Sequence, residues 1–243
     1  KIRKRPSLII NITRKINAYL ENKYLQKIFE NDFDKLCSNP FIYFPLPVEP
    51  EFSTHSLSKE FNNMHAILRQ TAISMPIGYK LIVKEHTPNI GNKNRDFYLS
   101  LMRIPNITFA SHSISGTKLI DKAEAICTIV GTSALEAAER GKKAILFGTS
   151  VEFLYLPNIL HSRSFQDLPT LIKEALKKPS LKEVKNFKKE FYLYKNTVRE
   201  NSFYAPNTIL FDVASYAGKK IEEKQVIKAI KTLNNLYNFQ KKL

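Results

Sequence analysis

TIVGTSALEAAERGKKAILFG, residues 128–148, is the stretch whose reading decides the fold. Residues 125–130 are apolar and rich in β-branched side chains, the pattern of a parallel strand buried on both faces, and the run stops at Gly131-Thr132-Ser133. That triplet reads as a turn and a helix cap at once. Gly131 permits close backbone approach, either Thr132 or Ser133 can serve as N-cap, and Glu136 falls in the first turn, where an acid complements the helix dipole. Such a turn presents N–H groups to an anion. Gly141 suits the position just past the helix, and residues 142–148 read as the next strand. In open α/β sheets ligands sit beyond the carboxyl ends of the strands, here near residues 131–133 and 148–150. A cap and a glycine are also what any strand-helix-strand unit needs, so the turn alone does not name a ligand.

Working outward, the same alternation repeats. Strands are expected at residues 41–46, 79–84 and 106–110, with helices at 58–74, 92–102 and 116–122 between them. Five strands separated by helices imply a doubly wound, mostly parallel, Rossmann-like α/β sheet. Residues 1–40 read as a basic helical linker segment, with Ile12, Ile16, Tyr19, Leu20, Tyr24 and Ile28 at helical spacing, and residues 41–180 as the Rossmann-like domain. Beyond the sheet unit, 151–158 reads as an aromatic loop, 165–177 as a helix capped by Ser164, and 181–196 as a strongly basic helix. Residues 201–212 look irregular and 221–239 form a last amphipathic helix, so 181–243 is a set of C-terminal basic helices.

Composition narrows the function classes. An apolar content of 43% with 25% charged residues is globular, and two cysteines in 243 residues exclude a disulfide scaffold. Cys127 lies inside a buried strand, where a reduced, structural thiol is expected. A cytoplasmic setting fits, since no run approaches a membrane span and the start lacks a signal-peptide core. The net charge of +16 invites an anionic partner: nucleic acid, an anionic membrane surface at the inner membrane face, or an acidic substrate. Abundant Lys, Asn and Ile also suggest an AT-rich genome, which raises charge without function. Basic residues are not interleaved with aromatics in a recognisable motif, so no specific nucleic-acid partner is expected.

The candidate chemistry gathers at the strand ends. Lys84, Glu85 and His86 follow the second strand, and a histidine there can donate to a phosphate or protonate a leaving group, because the residue type titrates near neutral pH. Glu49 and Glu51, in the proline-rich loop after the first strand, could act as acid or base or bind sugar hydroxyls. Glu136 could accept ribose hydroxyls. His55, His65, His86, His112 and His161 are scattered without ligand spacing, so no metal and no cofactor is expected. Walker, Gly-x-Gly-x-x-Gly and Gly-x-Ser-x-Gly patterns are missing, which disfavours kinase, dinucleotide and α/β-hydrolase readings.

Phe44-Pro45-Leu46-Pro47-Val48-Glu49-Pro50-Glu51, then Val83-Lys84-Glu85-His86 with Gly91, Arg95 and Phe97-Tyr98, then Pro105-Asn106, and finally Gly131-Thr132-Ser133-Ala134-Leu135-Glu136-Ala137 with Gly141-Lys142 and Phe147-Gly148 follow one another. In that order they resemble the donor half of the bacterial capsule or surface polysaccharide biosynthesis proteins, the group that includes Kdo transferases. The resemblance spans residues 41–155. It implies one half of a GT-B glycosyltransferase, whose two Rossmann-like domains face each other across a cleft and whose C-terminal domain holds a nucleotide-sugar. On that basis His86 would meet the donor phosphate, Gly131, Thr132 and Ser133 would cradle it, and Glu136 would bind the ribose. Lys84 and Glu85 would line the cleft, and Glu49 or Glu51 would face the reacting sugar. Two positions depart from the family pattern: Thr87 intervenes between His86 and Pro88, and Thr128 stands where many retaining GT-B enzymes carry an acid.

The expected function is transfer of a sugar from a nucleotide-sugar to a glycan or lipid-linked acceptor. Motifs for one domain alone lead to the expectation of an acceptor domain outside this chain. Two alternatives remain open, a sugar-nucleotide epimerase-like GT-B enzyme and a basic nucleic-acid-binding module.

Overall fold

The computed structural model describes residues 8–47, 61, 63–86, 89, 93–129, 131–148, 154 and 156–201. The five expected strands form as β1 (Phe41–Pro45), β2 (Lys80–Lys84), β3 (Ile107–Ala110), β4 (Ala125–Thr128) and β5 (Ala144–Leu146). A sixth, β6 (Ile159–His161), lies just past the expected aromatic loop. All pairings are parallel, and the order is β3-β2-β1-β4-β5-β6. This is the doubly wound arrangement, with its strand order reversing between β1 and β4.

Strand register explains which side chains meet the core. Ile42 and Phe44 on β1, Leu81 and Val83 on β2, and Ala125 and Cys127 on β4 share one face and one hydrophobic cluster. Phe41, Tyr43 and Pro45 alternate to the other face. Helix α3 (Met64–Ile73) supplies Ile67 and Leu68 to the cluster and α4 (Arg95–Met102) supplies Tyr98 and Leu101. Both helices start later than their periodicity suggests, because an asparagine stops each backward extension. Asn63 Oδ1 accepts from Ala66 N, and Asn94 Oδ1 accepts from Phe97 N. Phe61, expected within α3, lies before it and sets its ring edge-on to Phe147 and Phe165 at 5.2 Å each.

Helix α1 (Leu8–Ile28) and the single turn α2 (Phe33–Leu36) do not stand apart from the sheet. Leu25 and Phe29 belong to the core, and Glu30 bridges the free edge of β3, donating its N–H to Phe109 O at 2.9 Å while its O accepts from Ser111 N at 2.8 Å. Arg95 grips Glu21 at 3.0 Å and lies over the Tyr24 ring at 4.3 Å.

Helix α5 (Gly116–Lys122) and α6 (Ser133–Glu139) cover the Tyr43 side of β1 and β4. Ala134, Ala137 and Ala138 are fully buried, and these small side chains let α6 lie close to the sheet. Its end follows from Gly141, at φ +69, which gives its N–H to Ala138 O while Lys142 N donates to Ala137 O. A Cβ at Gly141 would also stand 2.6 Å from Val184 Cγ1, so α8 (Leu181–Asn201) begins against a position with no room for a side chain.

The expected helix at 165–177 opens with a 3₁₀ turn, Phe165–Asp167, before α7 (Leu168–Ala175). Glu174 on α7 accepts from Lys143 Nζ at 2.9 Å and pairs with Lys177 at 2.6 Å. Lys177 first and Lys143 second hold its carboxyl down at about 2, against an ordinary 4.5. A carboxylate with a lowered folded-state pKa stabilises above its ordinary value, and that contribution disappears as pH falls toward the folded value. Glu174→Gln should therefore be slightly less stable than wild type near neutrality, and the difference should vanish as pH falls from about 4.5 to 2, which flattens the acid limb. The effect is small because the pair is partly solvated. An identical acid limb in wild type and variant would count against this pairing.

The chain divides into two compact units, Lys1–Lys189 and Glu190–Leu243. The sheet belongs to the first. In the second, Phe191 and Tyr192 meet edge to face at 5.6 Å and Lys195 sits over Phe191 at 5.8 Å. The expected helix at 221–239 lies outside the described residues.

Candidate functional site

A cleft of about 420 Å³ opens where the sheet order reverses, at the carboxyl ends of β1, β2 and β4. The sequence-derived candidates Lys84, His86, Gly131, Thr132, Ser133 and Glu136 all line it. Glu49 and Glu51 lie outside the described residues. Glu85 is not among the lining residues, and its position follows from strand alternation: Lys84 and His86 project to one side, Glu85 to the other.

Glu85 is 1% exposed and anchors the loop that carries His86. Oε2 accepts from Tyr98 Oη at 2.8 Å and from Lys93 Nζ at 3.1 Å, and Oε1 accepts from His86 N at 2.9 Å and from Asn89 Nδ2 at 3.4 Å. Asn89 Nδ2 also donates to Pro47 O at 2.7 Å, tying the loop after β2 to the end of β1. His86 itself is exposed at the mouth.

The glycine turn is held from within. Gly131 N donates to Thr128 Oγ1 at 3.1 Å, so that N–H is already used by the protein. The first bond of the α6 turn is Ala134 N to Gly131 O, which leaves the N–H groups of Thr132 and Ser133 ahead of it. Of the two candidate caps Thr132 takes the position, without a side-chain cap bond. Ser133 Oγ is sealed from solvent, turned toward Gly131, and has no hydrogen-bond partner. An unsatisfied buried hydroxyl costs about 1–3 kcal/mol.

Several other polar heads in the cleft also have no hydrogen-bond partner among the described residues: Lys84 Nζ, the hydroxyls of Thr117, Thr132 and Tyr43, and the Glu136 carboxylate. Lys84 is half-buried, and burial lowers the pKa of its ammonium while the neighbouring Glu85 partly restores it. Tyr43 is 3% exposed, and burial, then the Glu136 carboxylate, push its phenol far above the ordinary value. Tyr43, Gly116 and Thr117 were not legible as site residues. In sequence Tyr43 is one more aromatic in an apolar strand, and only the sheet order brings β1 beside β4.

Among the described residues no group of three or more His, Cys, Asp or Glu is placed to hold a metal ion, and no helix is long and apolar enough to cross a membrane. Burial raises the pKa of both thiols, and does so most for Cys127, which is fully buried where Cys37 is only partly so.

A six-stranded parallel sheet in this order, with a polar cleft at its switch point, defines a Rossmann-like α/β ligand-binding fold. Residues 3–191 match the family described as "Capsule polysaccharide biosynthesis protein", and the chain belongs to that family. No curated protein matches the sequence significantly. Similar solved structures include Anabaena Alr3699/HepE in complex with UDP-glucose, at 12% identity and TM-score 0.49 over 74% of this chain and 50% of that one. They also include Thermosulfurimonas dismutans KpsC, described as a β-Kdo 2,7 transferase, at 15% identity and TM-score 0.42 over 75% and 54%. A putative UDP-N-acetylglucosamine 2-epimerase from Listeria monocytogenes aligns at 14% identity and TM-score 0.43 over 77% and 50%. The chain spans about half the length of these structures.

Proposed function

We propose that this chain binds the nucleotide-sugar donor of a glycosyltransferase in capsule or surface polysaccharide biosynthesis, which passes the sugar to a glycan or lipid-linked acceptor. The observation that carries the reading is the set of unpartnered polar heads converging on one cleft at the switch point, in a chain of the capsule polysaccharide family. Their chemistry suits a nucleotide. The Thr132 hydroxyl and the backbone N–H groups of Thr132 and Ser133 offer donors to a phosphate, and Lys84 and His86 face it from the other side. Glu136 offers a carboxylate to the ribose hydroxyls. A phosphate beside Lys84 would favour the ammonium that burial disfavours. As the sugar leaves, charge develops on the phosphate, and donors fixed beforehand stabilise it. The donor needs no further cofactor in this reading.

Titration calorimetry with CMP, UDP and GDP tests it. One of the three should bind, and Thr132→Val should weaken that nucleotide by roughly tenfold through the lost hydrogen bond. Binding of none of them by the folded protein would refute the reading. Incubation with the matching nucleotide-sugar then separates the two enzyme classes: conversion of the donor to an epimer without any acceptor would favour the epimerase alternative.

A further inference from the structure

We propose that Tyr43 is a specificity-determining residue of this cleft, its hydroxyl contacting the ribose diol of the bound nucleotide together with Glu136 and so selecting ribonucleotides over 2′-deoxyribonucleotides. The inference rests on the nucleotide-sugar reading above and adds a residue and a selectivity to it.

Three observations converge. The Tyr43 ring is packed between the sheet and α5, yet the residue lines the cleft rather than the core cluster. A buried phenol normally finds a hydrogen-bond partner within the protein. This hydroxyl has none among the described residues, although it is not sealed as Ser133 Oγ is. The residue beside it is Gly116, where a Cβ would stand 3.2 Å from Tyr43 Oη. The missing side chain keeps the space around the hydroxyl open.

The neighbouring charge then selects the ligand group. Glu136 lies close enough for its carboxylate to act on the phenol, and both line the same cleft. An ionised carboxylate only accepts, and the neutral phenol both donates and accepts. A vicinal diol suits this pair. One hydroxyl can donate to Glu136, and the other can accept from Tyr43 Oη. A phosphate does not suit it, because the Glu136 charge would repel it. Removing the 2′-hydroxyl would leave one member of the pair unanswered, the situation in which a polar site discriminates most strongly.

Calorimetry on the full chain with the nucleotide that binds best, UDP or CMP, and with its 2′-deoxy counterpart is the test. Wild type should prefer the ribonucleotide by roughly tenfold or more, the effect of one hydrogen bond in a desolvated site. Tyr43→Phe keeps the ring and removes only the hydroxyl, so its melting temperature should stay close to wild type while the ribo-to-deoxy ratio falls toward one. Gly116→Ala provides a second variant with the hydroxyl intact: it should weaken the ribonucleotide, and it should do so less in the Tyr43→Phe background, where the new methyl has room. A wild type that binds nucleotide without ribo preference, or a Tyr43→Phe variant with the full preference, overturns this inference and leaves the nucleotide site standing. No binding of either nucleotide by wild type overturns both.

Discussion

Glu85→Ala is expected to destabilise the protein by roughly 3–5 kcal/mol, the range found when one partner of a buried ion pair is removed. Four donors converge on this carboxylate, from Tyr98, Lys93, His86 and Asn89. Lys93 is 10% exposed, so its ammonium would lose its carboxylate partner where water reaches it poorly. Tyr98 is wholly buried against Phe29, Phe97 and Phe109, with ring centroids 5.2–5.5 Å away, and its hydroxyl would lose the acceptor it now has. Glu85→Gln should cost less, because it keeps the shape and one acceptor but turns an amide N–H₂ toward a donor. Tyr98→Phe should cost about 1.5–3 kcal/mol, the loss of one hydrogen bond to a charged acceptor. Urea unfolding of the three variants measures the series. Glu85→Ala within about 1 kcal/mol of wild type would mean that the network does not hold the His86 loop.

The second large effect falls on Gly131→Ala, and it should appear in ligand affinity more than in stability. A Cβ there would lie 2.6 Å from Thr128 Oγ1, closer than real Cβ contacts come, and Thr128 is 3% exposed. The turn must open, and the Gly131 N–H to Thr128 Oγ1 bond goes with it. Thr132 and Ser133 follow the turn directly, so the donors proposed for the phosphate would move. Losing two hydrogen bonds to a charged acceptor costs on the order of a hundredfold. Nucleotide affinity measured by calorimetry should drop by about that factor. Thr128→Ala in the same chain removes the clashing oxygen, so the double variant should recover part of the loss. Wild-type affinity in Gly131→Ala would show that the ligand does not depend on this turn.

How far the site could be read from sequence depended on whether its parts are neighbours along the chain. Gly131, Thr132, Ser133, Glu136 and Gly141 sit in one continuous strand-helix-strand unit, where hydrophobic period and turn chemistry agree, and the structure forms that unit as expected. Glu85 was grouped with Lys84 and His86 by proximity, although alternation along an extended chain already separates their directions. Strand β6 is three residues long and half-buried, which leaves too little periodicity to see. Tyr43 and Gly116 meet only because α5 crosses from β3 back over β1, a relation held in the order of the sheet and in no local pattern. The starts of α3 and α4 were legible in retrospect, since Asn63 and Asn94 are ordinary cap residues that periodicity alone overran.

The junction of β1 with β4 has a further consequence, for the order in which the molecule assembles. Ile42 pairs with Ala125 and Tyr43 with Ile126, across the whole length of chain that builds β2 and β3, whereas each other pairing joins strands that follow one another. Closing so long a loop is entropically costly and is rewarded only when both halves are already formed. Every residue of the cleft that comes from β1 therefore waits on this closure to meet those from α6. The cleft should thus be a late product of folding, and any occupant would shift the folding equilibrium as a whole by holding the two halves of the sheet together.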